Sequence, residues 1–288
     1  MYIDLHCHTL ASDGRSTPEE LVRKAKKIGL SYIAKTDHDN VDLTDVFLRA
    51  GKKYGVKTIT GIEISSKYKG MSAHIVGLGI DYTDKDIIRY SKKCELARKK
   101  RAMAMMKILS KIGWQIKKDE LDVRIITRPH LARAVLSHPQ NRKRLISEFG
   151  KIPNFSEFIG AYLAKNCVGY VEKSYYMPVR PAIRMIRKAG GLAILAHPKC
   201  KTEEFSYNQK HLLDLLKLKF DGIEVYASKT TQAEINGLKK LVKKYGLLAS
   251  AGSDYHGYDK EYPLGICNAE KYTKAELCKD LLAKLDMA

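Results

Sequence analysis

The residues of this 288-residue chain best suited to chemistry are its histidines and acids, and their spacing sets them apart. Asp4-Leu5-His6-Cys7-His8 places two imidazoles two residues apart, so that on a strand both leave the same face. Asp13 follows in the next loop. Thr36-Asp37-His38, Gly61-Ile62-Glu63 and Ala73-His74 come next. Far along the chain stand Ala196-His197-Pro198 and Ser253-Asp254-Tyr255-His256, where a carboxylate and an imidazole are again two apart. Six of the nine histidines fall in these groups. Imidazole mixed with carboxylate suits zinc, manganese or iron. Thiolate ligation is disfavoured, because the six cysteines are dispersed without a C-x-x-C pair and Cys7 alternates to the opposite strand face. One histidine so placed is ordinarily a structural hydrogen-bonder; the full set in one periodic register reads as a metal centre. Asp37 points away from His38 and reads as support. With no Ser/His/Asp elbow and no Gly-rich phosphate loop, covalent acyl and nucleoside-triphosphate chemistry are disfavoured.

The elements that must position these residues alternate between strand and helix. Tyr2–Cys7, Ser31–Thr36, Val56–Ile64 and His74–Ile80 read as strands. Thr17-Pro18-Glu19-Glu20 is a capping-box pattern opening a helix that Gly29 stops, and a second helix spans Leu43–Tyr54. Late in the chain, strands at Leu192–Ala196, Gly222–Tyr226 and Leu247–Ala251 alternate with helices at Ala182–Ala189, His211–Leu218 and Ala233–Tyr245. The alternation predicts an α/β fold with a parallel sheet and crossover helices, closed as a barrel. The strand ends, each carrying a ligand-type residue, would then share one rim. Between these parts, Asp86–Ile112 reads as a long helix, with shorter ones at Leu131–Val135, Arg142–Phe149 and Phe155–Leu163. Residues 88–178 are therefore expected to form a helical insertion between barrel parts 1–87 and 179–288.

The charge follows the same division. The chain carries 52 Lys and Arg against 32 Asp and Glu, a net +20, of which +17 lies within 85–188. A basic block of this size suggests contact with a polyanion, although a solvated face would carry it equally well. Its Lys92-Lys93, Arg98-Lys99-Lys100-Arg101 and Lys117-Lys118 groups could follow an RNA backbone, with Tyr90 and Trp114 the sparse aromatics beside them. The apolar face of Leu96, Met103, Met106 and Leu109 reads as ordinary helix packing. No secretory signal and no apolar run of spanning length is visible, so a cytoplasmic location without membrane contact is expected. Nothing points to an obligate protein partner.

The motifs D-L-H-C-H, T-D-H, G-I-E, A-H-P and S-D-Y-H, in this order, resemble the polymerase-and-histidinol-phosphatase (PHP) family of metal-dependent phosphoesterases. That resemblance implies a distorted (β/α)7 TIM-like barrel with a trinuclear divalent-metal centre, manganese foremost among Mn, Zn, Fe and Mg. It implies that His6, His8, Glu63 and Asp254 hold one ion and that Glu63 bridges to a second held with His74 and His197. Asp13, His38 and His256 would hold the third and carry the catalytic step. Closely spaced divalent ions acidify a shared water and clamp phosphoryl oxygens for in-line attack, so no serine or cysteine nucleophile is required.

The phrase Thr127-Arg128-Pro129-His130-Leu131-Ala132-Arg133 within a helical insertion is similar to the nucleotide-directed subgroup. Its members remove the 3′-phosphate of nucleoside 3′,5′-bisphosphates or trim short RNA from the 5′ end. Arg128 and His130 are implied as phosphate contacts, and arginine's planar fork suits phosphate. A nucleotide or short RNA is then the expected substrate. A small-metabolite phosphatase of the histidinol-phosphate type, or a noncatalytic nucleic-acid-binding or polymerase-accessory module, are the competing expectations. Two departures from the family pattern stand out: Asp39-Asn40 follows the T-D-H motif where threonine is common, and Lys35 occupies a strand position that is usually apolar.

Overall fold

Local sequence and observed structure meet at the first helix. Thr17 Oγ1 accepts the Glu20 N–H at 3.2 Å, and the Glu20 carboxylate accepts the Thr17 N–H at 2.8 Å. Two orphan donors are satisfied, and Pro18 opens α1 (Pro18–Lys27). A computed structural model of the chain describes residues 1–123, 125–198, 209–257, 262–268 and 271–286. β1 (Tyr2–Asp4) precedes α1; β2 (Leu30–Lys35), α2 (Thr44–Tyr54), β3 (Lys57–Tyr68), β4 (Met71–Leu78) and α3 (Lys85–Lys111) follow. Then come α4 (Arg128–Leu136), α5 (Arg142–Phe149), α6 (Phe155–Phe158) and the short β5 (Met177–Pro178). α7 (Val179–Lys188), β6 (Leu192–Leu195), α8 (Gln209–Leu216), β7 (Gly222–Ala227), α9 (Gln232–Tyr245) and β8 (Leu248–Gly252) complete the alternation, before a final helix α9's successor, α10 (Lys279–Asp286).

The chain divides into two compact units, residues 1–91 with 176–288, and residues 92–175. In the first, one sheet runs β1-β2-β3-β4-β6-β7-β8, with β5 against β3. The Leu5 N–H donates to the Ala251 carbonyl at 2.9 Å and the Asp254 N–H to the His6 carbonyl at 3.0 Å, so the last strand returns to the first and the barrel nearly closes. β7 is buried along its whole length, as a strand covered on both faces must be. Outside β1 and β2, Cys7, Leu21, Val22, Ile33 and Phe47 form the apolar layer against α1 and α2. Cys7 thus packs as a small hydrophobe, and the five described cysteines are free, Cys200 lying outside the described residues.

The barrel's parallel character is incomplete, which corrects the sequence reading. β4 runs antiparallel to both β3 and β6. Lys69 and Gly70, with φ of 48° and 82°, make a two-residue turn with positive φ at both positions, whose twist matches the right-handed twist of the flanking strands. β3 and β4 pair from Gly61 opposite Leu78 out to Tyr68 opposite Met71. Glu63 therefore stands within a strand that continues beyond it, not at a strand end.

In the second unit, Trp114 is buried with its ring edge-on to Phe158 and Tyr162, centroids 5.4 and 5.2 Å away, and the Arg144 guanidinium lies 4.0 Å from its centroid. Along α3, burial recurs at Cys94, Arg98, Ala102, Met105 and Leu109, at helical spacing. Leu96 and Met103, expected on the packed face, are 62% and 61% exposed because they lie in the opposite phase. Trp114 and Tyr90 are packed away and offer no surface for base stacking. No helix among the described residues is long and apolar enough to cross a membrane.

Candidate metal centre

One rim of the barrel gathers the ligand-type residues from six strands and one loop. His6 and His8 follow β1, Asp13 sits in the loop before α1, His38 follows β2, and Glu63 lies within β3. His74 comes from β4, and it reaches this rim because β4 is antiparallel and starts where its neighbours end. His197 follows β6; Asp254 and His256 follow β8. Two of these residues hold left-handed backbone, His197 with φ 27° and Asp254 with φ 58°, conformations that a surrounding site must over-determine. Gly14 and Gly252 allow the close approaches. A Cβ on Gly14 would stand 2.4 Å from the His8 carbonyl oxygen, and one on Gly252 would stand 2.2 Å from His6 Cβ.

Glu63 is the hub. Its Oε2 lies 3.3 Å from His6 Nε2, 3.3 Å from His8 Nε2 and 2.7 Å from His38 Nδ1. Its Oε1 lies 2.6 Å from His74 Nδ1 and 3.1 Å from His197 Nε2. Asp254 Oδ1 lies 3.1 Å from His8 Nε2 and 3.5 Å from His6 Nε2. Asp13 Oδ1 stands 3.3 Å from His256 Nε2, and Asp13 Oδ2 stands 3.9 Å from His38 Nε2. Three sets of atoms are each close enough to share one ion: His6, His8, Glu63 and Asp254; His38, Glu63 and His74; and His8, Asp13, His38 and His256. His197 reaches this assembly through its contact with Glu63 Oε1.

The donor set fits divalent ions on an observation independent of spacing. His6 Nε2, His8 Nε2, His38 Nδ1 and Glu63 Oε2 are buried and make no hydrogen bond among the described residues, although they crowd within 3.3 Å of one another's partners. Buried polar atoms left this way are costly unless something else satisfies them. Lone pairs that converge without hydrogen-bond geometry are what a shared cation requires.

The carboxylates are held in the ionised form that a cation requires. Burial opposes ionisation of Glu63, but His38, His74 and His6 hold its carboxyl well below the ordinary range. Asp13 and Asp254 are likewise held well down, against burial, by His38 and His256 and by His256 and His8 respectively. Burial outweighs Glu63 at His74 and pulls it down to about 4, leaving a neutral imidazole suited to ligation. At His256 burial is outweighed by Asp13 and Asp254, which push it up to about 10.

Sequence reasoning missed the residues that orient these side chains. Glu224, buried in β7, lies with Oε1 2.9 Å from His6 Nδ1 while its Oε2 accepts the His197 N–H at 2.6 Å. A carboxylate on Nδ1 fixes the tautomer that turns Nε2 toward an ion. Asp4 accepts the Ser253 N–H at 2.9 Å, the Ser253 hydroxyl at 2.5 Å and the Gly265 N–H at 2.7 Å, which holds the backbone just before Asp254. The only signal for Glu224 in the sequence is a charged residue inside the β-type run Gly222–Tyr226. Arg128 and His130 belong to the other unit. Arg128 opens α4, and His130 is buried in its first turn, where Nδ1 accepts the Thr127 N–H at 3.2 Å.

Comparison with known proteins places this geometry. The PHP domain matches residues 4–172, more than half of the chain. A 5′-3′ exoribonuclease of Haemophilus influenzae is 32% identical over 88% of this chain and 89% of its own. A 3′,5′-nucleoside bisphosphate phosphatase of Chromobacterium violaceum is 28% identical over 88% and 87%. A solved structure from Bifidobacterium adolescentis, assigned provisionally as a metal-dependent phosphoesterase, superposes with a TM-score of 0.82 at 25% identity, over 98% of this chain and 96% of its own. With its barrel, its rim of imidazoles and carboxylates and these relatives, the chain belongs to the PHP domain family and is a metal-dependent phosphoesterase.

Proposed function

We propose that the rim binds three divalent ions, manganese foremost, and that the enzyme hydrolyses nucleotide phosphoesters. The reactions are removal of the 3′-phosphate from nucleoside 3′,5′-bisphosphates and 5′-to-3′ trimming of short RNA. The observation that carries this reading is the convergence of buried lone pairs lacking hydrogen bonds on the Glu63 carboxylate, in a chain that aligns along most of its length with relatives named for these two activities. His6, His8, Glu63 and Asp254 would hold one ion; Glu63, His74 and His197 a second; Asp13, His38 and His256 the third. Divalent ions bound there supply Lewis acidity, neutralising phosphoryl charge and making a water acidic enough to attack at neutral pH.

The chain's own groups set the stage for that chemistry. Glu63 spreads one negative charge over five imidazoles, while Asp13 and Asp254 add charge at the other side of His8 and His256. Glu224 keeps His6 Nδ1 occupied, so that Nε2 is the nitrogen turned inward. Arg128 and His130 are assigned to substrate phosphate, and the basic stretch 88–178, as an insertion into the barrel, to the RNA backbone. The cytoplasm is the proposed location.

The deciding experiment compares manganese-dependent phosphate release from adenosine 3′,5′-bisphosphate, histidinol phosphate and a 5′-phosphorylated oligoribonucleotide. The bisphosphate or the oligoribonucleotide should be turned over with the highest kcat/KM. A preference for histidinol phosphate would replace the nucleotide reading with the small-metabolite one, and no turnover of any of the three would favour a binding module.

A further inference from the structure

Lys35 is an unusual charge in the barrel unit. It is the last residue of β2, opposite Thr60 on β3, and it is fully buried where lysine is rarely found. Its Nζ lies 2.9 Å from Asp37 Oδ2, which is equally buried, and among the described residues Nζ has no hydrogen bond beyond this ion pair. A buried pair with an ammonium so poorly satisfied is weak support for stability, because desolvation offsets the attraction. Its use must therefore be sought in what the carboxylate holds.

Asp37 is loaded with donors from a single loop. Its Oδ1 accepts the Thr9 N–H at 2.8 Å and the Ser12 hydroxyl at 2.6 Å, and its Oδ2 accepts the Thr9 hydroxyl at 2.7 Å. Ser12 Oγ is also 3.3 Å from Asp13 Oδ1, so the clamped loop is the one that carries Asp13. The Asp37 carbonyl in turn accepts the Glu63 N–H at 3.1 Å. Three donors and an ammonium around one carboxyl group call for a pure acceptor, and only the carboxylate is one.

We propose that Lys35 is a positioning residue of the metal centre: it compensates the buried charge of Asp37, which clamps Thr9 and Ser12 and so holds Asp13 in place to ligate. This rests on the reading of Asp13, His38 and His256 as the ligands of one ion. Lys35→Met leaves a buried carboxylate uncompensated, and Asp37→Asn leaves a buried ammonium so. The double variant, Lys35→Met with Asp37→Asn, removes both charges. The amide oxygen can still accept from Thr9 and Ser12, and the Thr9 hydroxyl can turn to accept from the amide nitrogen.

The test is manganese stoichiometry and affinity by calorimetry on the full chain, with the unfolding midpoint of each metal-free protein recorded in parallel. Each single variant should bind one ion about 10–100-fold more weakly, as loss of a ligand's support does elsewhere. The double variant should recover that ion, and Asp13→Ala should lose the same one. Wild-type stoichiometry and affinity in Lys35→Met, with the ion lost in Asp13→Ala, would overturn the role of Lys35 alone. Unchanged binding in Asp13→Ala would instead overturn the metal assignment beneath it. If a single variant fails to fold, the double variant decides: recovery of the ion supports the proposal, and a folded double variant lacking it refutes it.

Discussion

Glu63 and Asp13 concentrate the charge of the centre, and their surroundings say what their loss should do. The proposed third ion depends on Asp13, His38 and His256, with Asp13 Oδ1 3.3 Å from His256 Nε2 and Asp13 Oδ2 3.9 Å from His38 Nε2. Asp13→Ala or His38→Ala should lower manganese-dependent turnover of adenosine 3′,5′-bisphosphate by on the order of 10³-fold, equivalent to about 4 kcal/mol of lost transition-state stabilisation. Far-ultraviolet circular dichroism should stay that of the parent; near-normal turnover in a folded variant would contradict the metal mechanism. Glu224 should act differently, since it contacts two proposed ligands, His6 and His197, through His6 Nδ1 and the His197 N–H. Glu224→Ala should weaken metal binding about 10–100-fold by freeing the His6 ring and the His197 backbone. Excess manganese should then restore much of the rate, whereas a variant that stays inactive at saturating metal would place Glu224 in the chemistry itself.

At the scale of elements, the rim is made by strand ends and by one reversal. The i,i+2 pairs His6/His8 and Asp254/His256 were legible because their spacing is local, although both pairs lie just past their strands and Asp254 has left-handed backbone. The direction of β4 was not, because pairing sense is a long-range property. Its one local sign was Lys69-Gly70, a weaker form of the Asn-Gly or Asp-Gly pair that announces a two-residue hairpin. Had the hairpin been read, the extension of β3 past Glu63 would have followed. Glu224 was illegible for a similar reason: its partners His6 and His197 are 218 and 27 residues away in sequence. The contact between β8 and β1 gives a sharp test of how tightly the elements are fitted. A Cβ at Gly252 would stand 2.2 Å from His6 Cβ and 2.5 Å from Glu224 Oε1. Gly252→Ala should therefore destabilise the metal-free protein by about 1–3 kcal/mol in denaturant titrations and also weaken metal binding. A variant with parental stability and metal affinity would show that β1 can shift freely against β8.

At the scale of the whole molecule, metal and polyanion should each leave a bulk signature. Ions that bind only the folded barrel stabilise it by mass action, about 2.7 kcal/mol per site at a free concentration 100 times the Kd. Chelation should accordingly lower the unfolding midpoint by about 5–10 °C per ion lost, and an unfolding midpoint indifferent to both manganese and chelator would count against a resident centre. The basic unit makes the last prediction. Residues 92–175 carry 19 Lys and Arg against 7 Asp and Glu, but burial has already sorted them. Arg98 is buried, and Arg101 donates its Nε–H to the Val171 carbonyl at 2.6 Å, so both belong to the unit's own structure. Lys92, Lys93, Lys99 and Lys100 face solvent. If these four each neutralise a phosphate of single-stranded RNA, log K should fall against log salt with a slope of about −2.8, roughly 50-fold between 50 and 200 mM. Replacing Lys99 and Lys100 by glutamine should flatten that slope by about 1.4, with a smaller effect on turnover of the mononucleotide bisphosphate, which is too short to span the helix. A slope near zero in the parent protein would return the charge to a solvated face and leave recognition of the substrate to the barrel rim.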